Sequence, residues 1–157
     1  MKLINNTKLS DTKILDIVNF VKPKSLSGFD VKVRCGSKSG RYKHVKPKNT
    51  FCIWLDDKPH NDFYFVGKRP LVCVNIPTDN LDQNIIIERK GGFNGYLSYK
   101  CYGVEEWLVH ILAHEIRHHW QSKHKRRIGY KSKRGKYSER DADTYAIKKV
   151  REWRRKV

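Results

Sequence analysis

Two histidines four residues apart stand in the run His114-Glu115-Ile116-Arg117-His118. On an α-helix, residues at i and i+4 lie on one face, so both imidazoles can reach a single metal ion. Imidazole nitrogen is a common zinc ligand, and a glutamate directly after the first histidine can take a proton from a zinc-bound water. The spacing therefore predicts one zinc ion bound by His114 and His118, with Glu115 as general base. The alternative is a histidine-rich helix face that binds no metal.

A catalytic zinc ion usually has three protein ligands, and Glu139 is the favoured candidate for the third. It follows His118 by 21 residues, and Asp143 lies one turn further along the same helical face. One carboxylate of such a pair can bind the metal while the other accepts the free ring N–H of a zinc histidine. The simpler alternative for Glu139 is an acid that stabilises the first turn of its helix.

His124 is the competing third ligand. Together with His114 and His118 it has the histidine spacing of the metzincins, in which the chain turns sharply at a glycine between the second and third histidines. This chain has Gln121 at that place. A residue other than glycine is disfavoured in a turn that requires positive φ, so Glu139 is preferred.

The segments HEIRH, which begins at His114, and ERDAD, which begins at Glu139, together resemble the HExxH plus ExxxD pattern of gluzincin metallopeptidases. The form ExxAD is similar to that of the minigluzincins and of the catalytic domain of CAAX-prenyl endopeptidases. This resemblance implies a zincin fold, with a twisted sheet above an active-site helix and a glutamate helix below it. It also implies zinc bound by His114, His118 and Glu139, with Glu115 as base and Asp143 supporting a ligand. ImmA/IrrE-type and SprT-like peptidases share the HExxH helix.

Peptide hydrolysis also requires a group that stabilises the oxyanion. In gluzincins a tyrosine or histidine often helps, and the sequence does not choose among the candidates Tyr130, Tyr137, Tyr145 and His124. An extended substrate is expected to add its backbone to a sheet edge, for which Leu71–Ile76 and Ile85–Glu88 are the candidates. His110 is expected to pack rather than bind the metal, and His119, about 100° round the helix from His118, is expected to face elsewhere.

The elements that must position these residues are an N-terminal helix, a central sheet and two final helices. The first helix is predicted between Ser10 and Pro23, from apolar residues at steps of three and four. Residues 36–47 read as a loop or a wide hairpin connection. The predicted strands are Phe29–Cys35, Phe51–Leu55, Phe63–Val66, Leu71–Ile76 and Ile85–Glu88, with Tyr96–Tyr102 as a possible last strand.

The first of the final helices is predicted from Val104 to Gln121. The second is predicted to begin at Ser138, with a capping box completed by Asp141. This order predicts an α+β fold and one zincin-like metallopeptidase domain over residues 1–157. Its parts are the N-terminal helix, a twisted, mostly antiparallel sheet of four or five strands, the active-site helix and the C-terminal glutamate helix.

The chain has 34 basic and 16 acidic residues and a formal charge of +18, which excludes a neutral surface and predicts attraction to nucleic acid, an anionic surface or an acidic partner. Residues 122–136 hold eight basic residues and no acidic one, which is compatible with a contact for nucleic acid or an acidic partner and, alternatively, with a solvated basic face. We see no apolar run long enough to span a membrane and no signal peptide, and expect a cytoplasmic protein. The four cysteines lack CxxC spacing and are expected to be buried thiols.

Three classes of function are compatible with this sequence. The first is a zinc metallopeptidase that acts on a peptide or protein through a zinc-activated water. The second is a basic, nucleic-acid-associated protein, either a SprT-like protease acting near DNA or a non-catalytic zinc-binding module. The third is a basic structural or inhibitory module in which HExxH is incidental.

Overall fold

Three helices and two sheets form the mixed α+β protein in the residues that the structure describes. The computed structural model describes residues 1–35, 42–45, 51–55, 62–66, 69–89, 98–124 and 136–156. The helices are α1 (Asp11–Val21), α2 (Val104–Lys123) and α3 (Lys136–Lys156). The strands are β1 (Leu3–Asn6), β2 (Asp30–Cys35), β3 (Tyr42–Val45), β4 (Phe51–Leu55), β5 (Asp62–Val66), β6 (Arg69–Ile76), β7 (Ile85–Arg89) and β8 (Tyr99–Tyr102).

The strands form two four-stranded sheets with the orders β1-β2-β6-β5 and β3-β4-β7-β8. Neighbours in sequence pair antiparallel, as β3 with β4, β5 with β6 and β7 with β8. Strands separated by other elements pair parallel, as β1 with β2, β2 with β6 and β4 with β7. The prediction of one mostly antiparallel sheet of four or five strands is therefore wrong. Turn signals in the sequence predict hairpins, whereas parallel partners are chosen by packing between distant segments.

Most of the individual strands lie within two residues of their predicted positions. The sequence reading missed β1, and it missed β3, which lies inside the expected loop 36–47. It also misplaced the sheet edges: β6 lies between β2 and β5, and β7 lies between β4 and β8. The prediction that Leu71–Ile76 or Ile85–Glu88 offers a free edge to a substrate is therefore wrong.

Helix α1 forms as its sequence predicts. The Ser10 side chain caps it by accepting a hydrogen bond from the Lys13 backbone N–H at 3.2 Å. The apolar residues at three- and four-residue steps are all buried in the core, and they are Ile14, Ile17, Val18 and Val21. The helix ends before Pro23, which cannot continue the hydrogen-bond ladder.

Helix α2 is joined to both sheets near its beginning. Gly103, directly before the helix, has a φ of +94°, a region that favours glycine, and its N–H donates to the Ile85 carbonyl at 2.7 Å. One turn later the Trp107 indole N–H donates to the Asn75 carbonyl at 3.2 Å. These bonds set the direction of α2 across β6 and β7, so the helix carries the HEIRH segment into the interior.

Helix α3 packs antiparallel to α2 and is held by an ion pair at each end. Near its end, the Arg154 guanidinium donates to the Glu106 carboxylate at 2.8 and 2.7 Å. Near its beginning, Arg117 of α2 donates to Asp141 at 2.7 and 3.1 Å. Between the two pairs, Ala146 is fully buried, and its small side chain allows the helices to approach closely. This register sets where residue 139 meets α2.

The beginning of α3 differs from the prediction. The helix begins at Lys136, two residues before Ser138, so the predicted capping box is wrong. Asp141 does not serve a cap, because its carboxylate accepts hydrogen bonds from Arg117 on α2. The pairing of Arg117 with Asp141 could not be predicted from the neighbouring sequence, because the two residues lie on different helices.

Two smaller expectations concern membranes and thiols. Cys73 and Cys101 are buried thiols, as expected, whereas the thiol of Cys35 is only half-buried. The Cys52 side chain lies outside the described residues. Within the described ranges, no helix has the length and apolar character needed to cross a membrane.

Replacing Ala146 by Leu tests the close packing of α2 and α3. We expect a loss of about 1–3 kcal/mol in the free energy of unfolding, because the larger side chain has no space between the helices. Urea denaturation measures the change. Thr144→Leu adds a similar side chain at an exposed position of the same helix and is expected to stay within about 0.5 kcal/mol of the wild type. Equal stability of the two variants would contradict the packing.

Candidate metal centre

Three ligand atoms from two helices meet inside the protein. The Nε2 atoms of His114 and His118 on α2 lie 3.0 Å apart. The two carboxylate oxygens of Glu139 on α3 lie 3.2 Å from these nitrogens, one from each. All three residues are buried, and together they form a group that could hold a metal ion. The structure thus brings together the three residues that the sequence reading proposed as ligands.

The size of this triangle suits a zinc ion. Ligand atoms at 2.0–2.1 Å from a tetrahedral ion lie about 3.3–3.4 Å from one another. The two Nε2 atoms lie 3.0 Å apart and each lies 3.2 Å from a different oxygen of Glu139, distances that are only a few tenths of an ångström shorter. Two imidazoles and one carboxylate are also donors that zinc prefers. The residues therefore fit the ion that the motif predicts.

A chain of hydrogen bonds sets the tautomer of His118. Arg117 donates to both oxygens of Asp141. Because a carboxylate can only accept hydrogen bonds, the amide group of Gln121 must donate an N–H to Asp141, at 2.9 Å. The amide oxygen of Gln121 must then face His118, whose Nδ1 lies 2.7 Å away and donates its proton. With Nδ1 protonated, the neutral ring presents a lone pair on Nε2 to the centre of the cluster.

Asp143 does the same for His114. Its Oδ1 lies 2.9 Å from Nδ1 of His114, and Asp143 is fully buried. A carboxylate in this position favours the tautomer of His114 with its proton on Nδ1, which would leave the Nε2 lone pair available to a metal ion. Without a metal, protons shared between the two imidazoles and the Glu139 carboxylate hold the three groups together, and a bound cation would take the place of these protons.

The Glu139 carboxylate stays in its charged form. Burial acts to raise the pKa of Glu139, but the hydrogen bonds and positive charge of His114 and His118 outweigh burial and hold this pKa well below its usual range. An ionised carboxylate beside two imidazole nitrogens is the form that binds a divalent cation.

Glu115 lies beside the ligand triangle without being part of it. Only 2% of Glu115 is exposed, and its Oε1 is 3.9 Å from Nε2 of His114. The carboxylate is therefore near the cluster but too far to share the position of a ligand atom. A group in this place can accept a proton from a water molecule held at the cluster.

His124, the alternative third ligand, lies outside the cluster. Its ring stacks on Trp120 with 4.4 Å between centroids, and its Nδ1 donates to the Trp120 carbonyl at 2.9 Å. Helix α2 continues through Gln121 to Lys123, so the sharp turn that would bring His124 back to the metal does not form.

The structure places two of the four residues proposed to stabilise the oxyanion, Tyr145 and His124. The Tyr145 hydroxyl donates to the Val21 carbonyl of α1, and burial raises the pKa of Tyr145 to about 12, so its proton is already engaged. His124 is held by Trp120. Tyr130 and the Tyr137 side chain lie outside the described residues, as does most of the basic segment 122–136.

The other two histidines of α2 pack as expected. His110 is buried between the rings of Trp107 and Tyr99, with centroid distances of 5.5 and 5.8 Å. His119 meets the edge of Phe29 at 5.5 Å. Burial, and secondly the charge of Lys123, lowers the pKa of His119 to about 4, so this ring is neutral at pH 7.

The sequence did not predict the hydrogen-bonded chain that positions His118, which is made by Gln121, Asp141 and Arg117. One signal was available for Gln121, because a residue three positions after His118 lies on the same helix face. No such signal exists for Asp141 and Arg117, which belong to different helices and meet only when α2 and α3 pack.

The chain was compared with profiles of known protein families, with curated proteins and with solved structures, and no match was found.

Glu139→Ala tests the third ligand. We expect this variant to lose bound zinc, with a fall in affinity larger than the roughly 10- to 100-fold typical of supporting residues, because a direct ligand is removed. His124→Ala is the matched control and is expected to keep one zinc ion per chain. Metal analysis after dialysis measures both. Stoichiometric zinc in Glu139→Ala, or its loss in His124→Ala, would overturn the ligand assignment.

Gln121→Met tests the support of His118. Methionine has a similar size but accepts only weakly, so the His118 ring loses its tautomer control, and we expect zinc affinity to fall by about 10- to 100-fold. Competition with a chelator measures the affinity. Gln83→Met makes the same change in a loop away from the centre and is expected to have no effect. Unchanged affinity in a folded Gln121→Met protein would show that the hydrogen bond does not position the ligand.

Proposed function

We propose that this protein is a zinc-dependent metallopeptidase whose ion is held by His114, His118 and Glu139. The observation that carries the proposal is the buried triangle of three ligand atoms with a fourth side chain, Glu115, beside it. A zinc ion at this place supplies a Lewis acid and lowers the pKa of a bound water to about 7.

The donor set supports a catalytic role over a structural one. Structural zinc sites are usually closed by four ligands that are mostly cysteines, whereas hydrolytic sites use three ligands and keep one position for water. Here the ligand atoms come from two histidines and one glutamate. This set is also the one implied by the resemblance to gluzincin metallopeptidases, and the proposal extends that resemblance to activity.

Glu115 is proposed to move the proton in the reaction. Its carboxylate accepts a proton from the attacking water and later delivers it to the leaving amine. Burial strengthens this role, because charges interact more strongly where water is excluded. Asp143 and Gln121 keep the two imidazoles in the required tautomer and orientation, so they act through the ligands.

An extended peptide is the substrate form that the sheets favour. Four of the described strands lie at sheet edges, namely β1, β3, β5 and β8. Of these, β5 and β8 pack against α2, the helix that carries the histidines, and the edge of β5 that does not face β6 can accept a peptide backbone. Strand β8 is also at an edge, but Arg154 donates to the Lys100 carbonyl and Glu106 accepts the Tyr102 N–H. These contacts cover the outer edge of β8, which leaves β5 as the proposed docking strand.

Glu115→Gln tests the proposal. We expect this variant to keep one zinc ion per chain and to lose peptidase activity by about 100- to 10,000-fold, because a general base is removed while the ligands remain. Cleavage of casein, an unstructured protein, by the zinc-loaded chain measures the activity.

Glu105→Gln is the matched control on the same helix. It removes only the partly exposed ion pair with Lys13, at 3.1 Å, and is expected to cleave casein at the wild-type rate. Zinc-loaded wild type that cleaves no protein, or Glu115→Gln that cleaves at the wild-type rate, would contradict the proposed mechanism.

A further inference from the structure

Helix α3 separates its charges between two faces. Its acidic residues are all turned inward or paired: Glu139 and Asp143 are buried, Asp141 is bound by Arg117, and Glu152 pairs with Lys149 at 3.0 Å. The exposed residues from position 139 onward are Arg140, Thr144, Lys148, Arg151, Arg155 and Lys156. The exposed positions of α3 thus carry positive charge and no negative charge, while the partly exposed Asp141 and Glu152 pair with Arg117 and Lys149.

Four of these residues form a straight line, which we call the α3 basic stripe. Arg140, Lys148, Arg151 and Arg155 follow one another at steps of eight, three and four residues. At 100° and 1.5 Å per residue they fall within a sector of about 80° and extend over about 22 Å. Within the described residues, none of the four forms an ion pair.

The positive charges of the stripe repel one another. Like charges three or four residues apart on a helix repel by about 0.2–0.5 kcal/mol per pair, and both Lys148–Arg151 and Arg151–Arg155 have this spacing. Glu152 lies four residues after Lys148 and three before Arg155, but its carboxylate pairs with Lys149 at 3.0 Å, outside the stripe. A polyanion that contacts the stripe from outside would offset the repulsion between these charges.

We propose that the α3 basic stripe binds the phosphate backbone of a nucleic-acid duplex. The stripe offers no exposed aromatic or aliphatic residue. A membrane-surface helix requires an apolar face, a protein interface requires buried apolar or aromatic anchors, and single-stranded bases require stacking rings. Duplex phosphates require only positive charges in a row, and they present one negative charge per about 1.7 Å of helix axis. This surface differs from the basic segment 122–136 and does not depend on peptidase activity.

The test is the salt dependence of binding between the full chain and a fluorescent 24-base-pair DNA duplex. Four phosphate contacts predict that log K falls with log salt at a slope of about −3.6 or steeper. In the variant with Lys148→Gln, Arg151→Gln and Arg155→Gln, we expect a slope smaller in magnitude by about 2–3 and an affinity about 10- to 100-fold lower at 0.1 M salt. Arg140 is left in place because it adjoins the ligand Glu139.

The matched control carries Lys8→Gln, Lys24→Gln and Arg34→Gln, which remove the same three charges at exposed positions elsewhere. It is expected to keep the wild-type slope within about one charge and an affinity within a few-fold. Circular dichroism confirms folding of both variants. Equal weakening of the two variants, tighter binding to single-stranded DNA, a stripe-dependent preference for anionic phosphatidylserine vesicles, or no binding to the duplex would each overturn the proposal.

Discussion

The site depends on the ligand atoms of three side chains that face one another inside the protein: the two Nε2 atoms lie 3.0 Å apart, and each lies 3.2 Å from a different oxygen of Glu139. Gln121 lies against Nδ1 of His118 and Asp143 against Nδ1 of His114, which directs both Nε2 atoms at the Glu139 carboxylate. A cation at the centre would replace the protons that these groups share. We therefore expect the binding of a cation to stabilise the fold at this place.

The packing of two helices controls that triangle. Two ligands come from α2 and one from α3, so the distance between them depends on the register of the helix pair. A slip of one residue would move Glu139 by about 1.5 Å along the axis and 100° around it, which would break the cluster. The ion pairs Arg154–Glu106 and Arg117–Asp141 resist such a slip at the two ends of the interface. The same Arg117–Asp141 pair orients the amide that holds His118, so one contact serves both the helix register and the ligand.

Helix α3 combines two opposite electrical environments along a single element. Its inward face carries the carboxylates that complete and support the cluster, and its outward face carries the α3 basic stripe. A helix with this division can hold a cation inside and meet an anion outside. The overall charge of +18 is therefore not evenly distributed over the described surface, because the acidic residues of this helix are either buried or bound in ion pairs.

Local pattern predicted the elements well and the sheet topology poorly. The α1 pattern, the positions of most strands and the HEIRH helix follow from periodicity and from residues such as Ser10 that act on near neighbours. The sequence did not predict the division into two sheets or the three parallel pairings. The residues of a strand do not specify which distant strand will pair with it. For the same reason, the sheet edges were misplaced.

For the candidate site, too, local spacing predicted some features and tertiary packing decided the others. The sequence alone determined that His114 and His118 share a helix face and that Glu139 and Asp143 share another, because the spacing along a helix sets the angle around it. Only the tertiary structure decided that Glu139 rather than His124 meets the two imidazoles, and that Gln121, Asp141 and Arg117 support His118. These contacts join α2 to α3, and their distances are set by how the helices pack, a quantity that no single segment encodes.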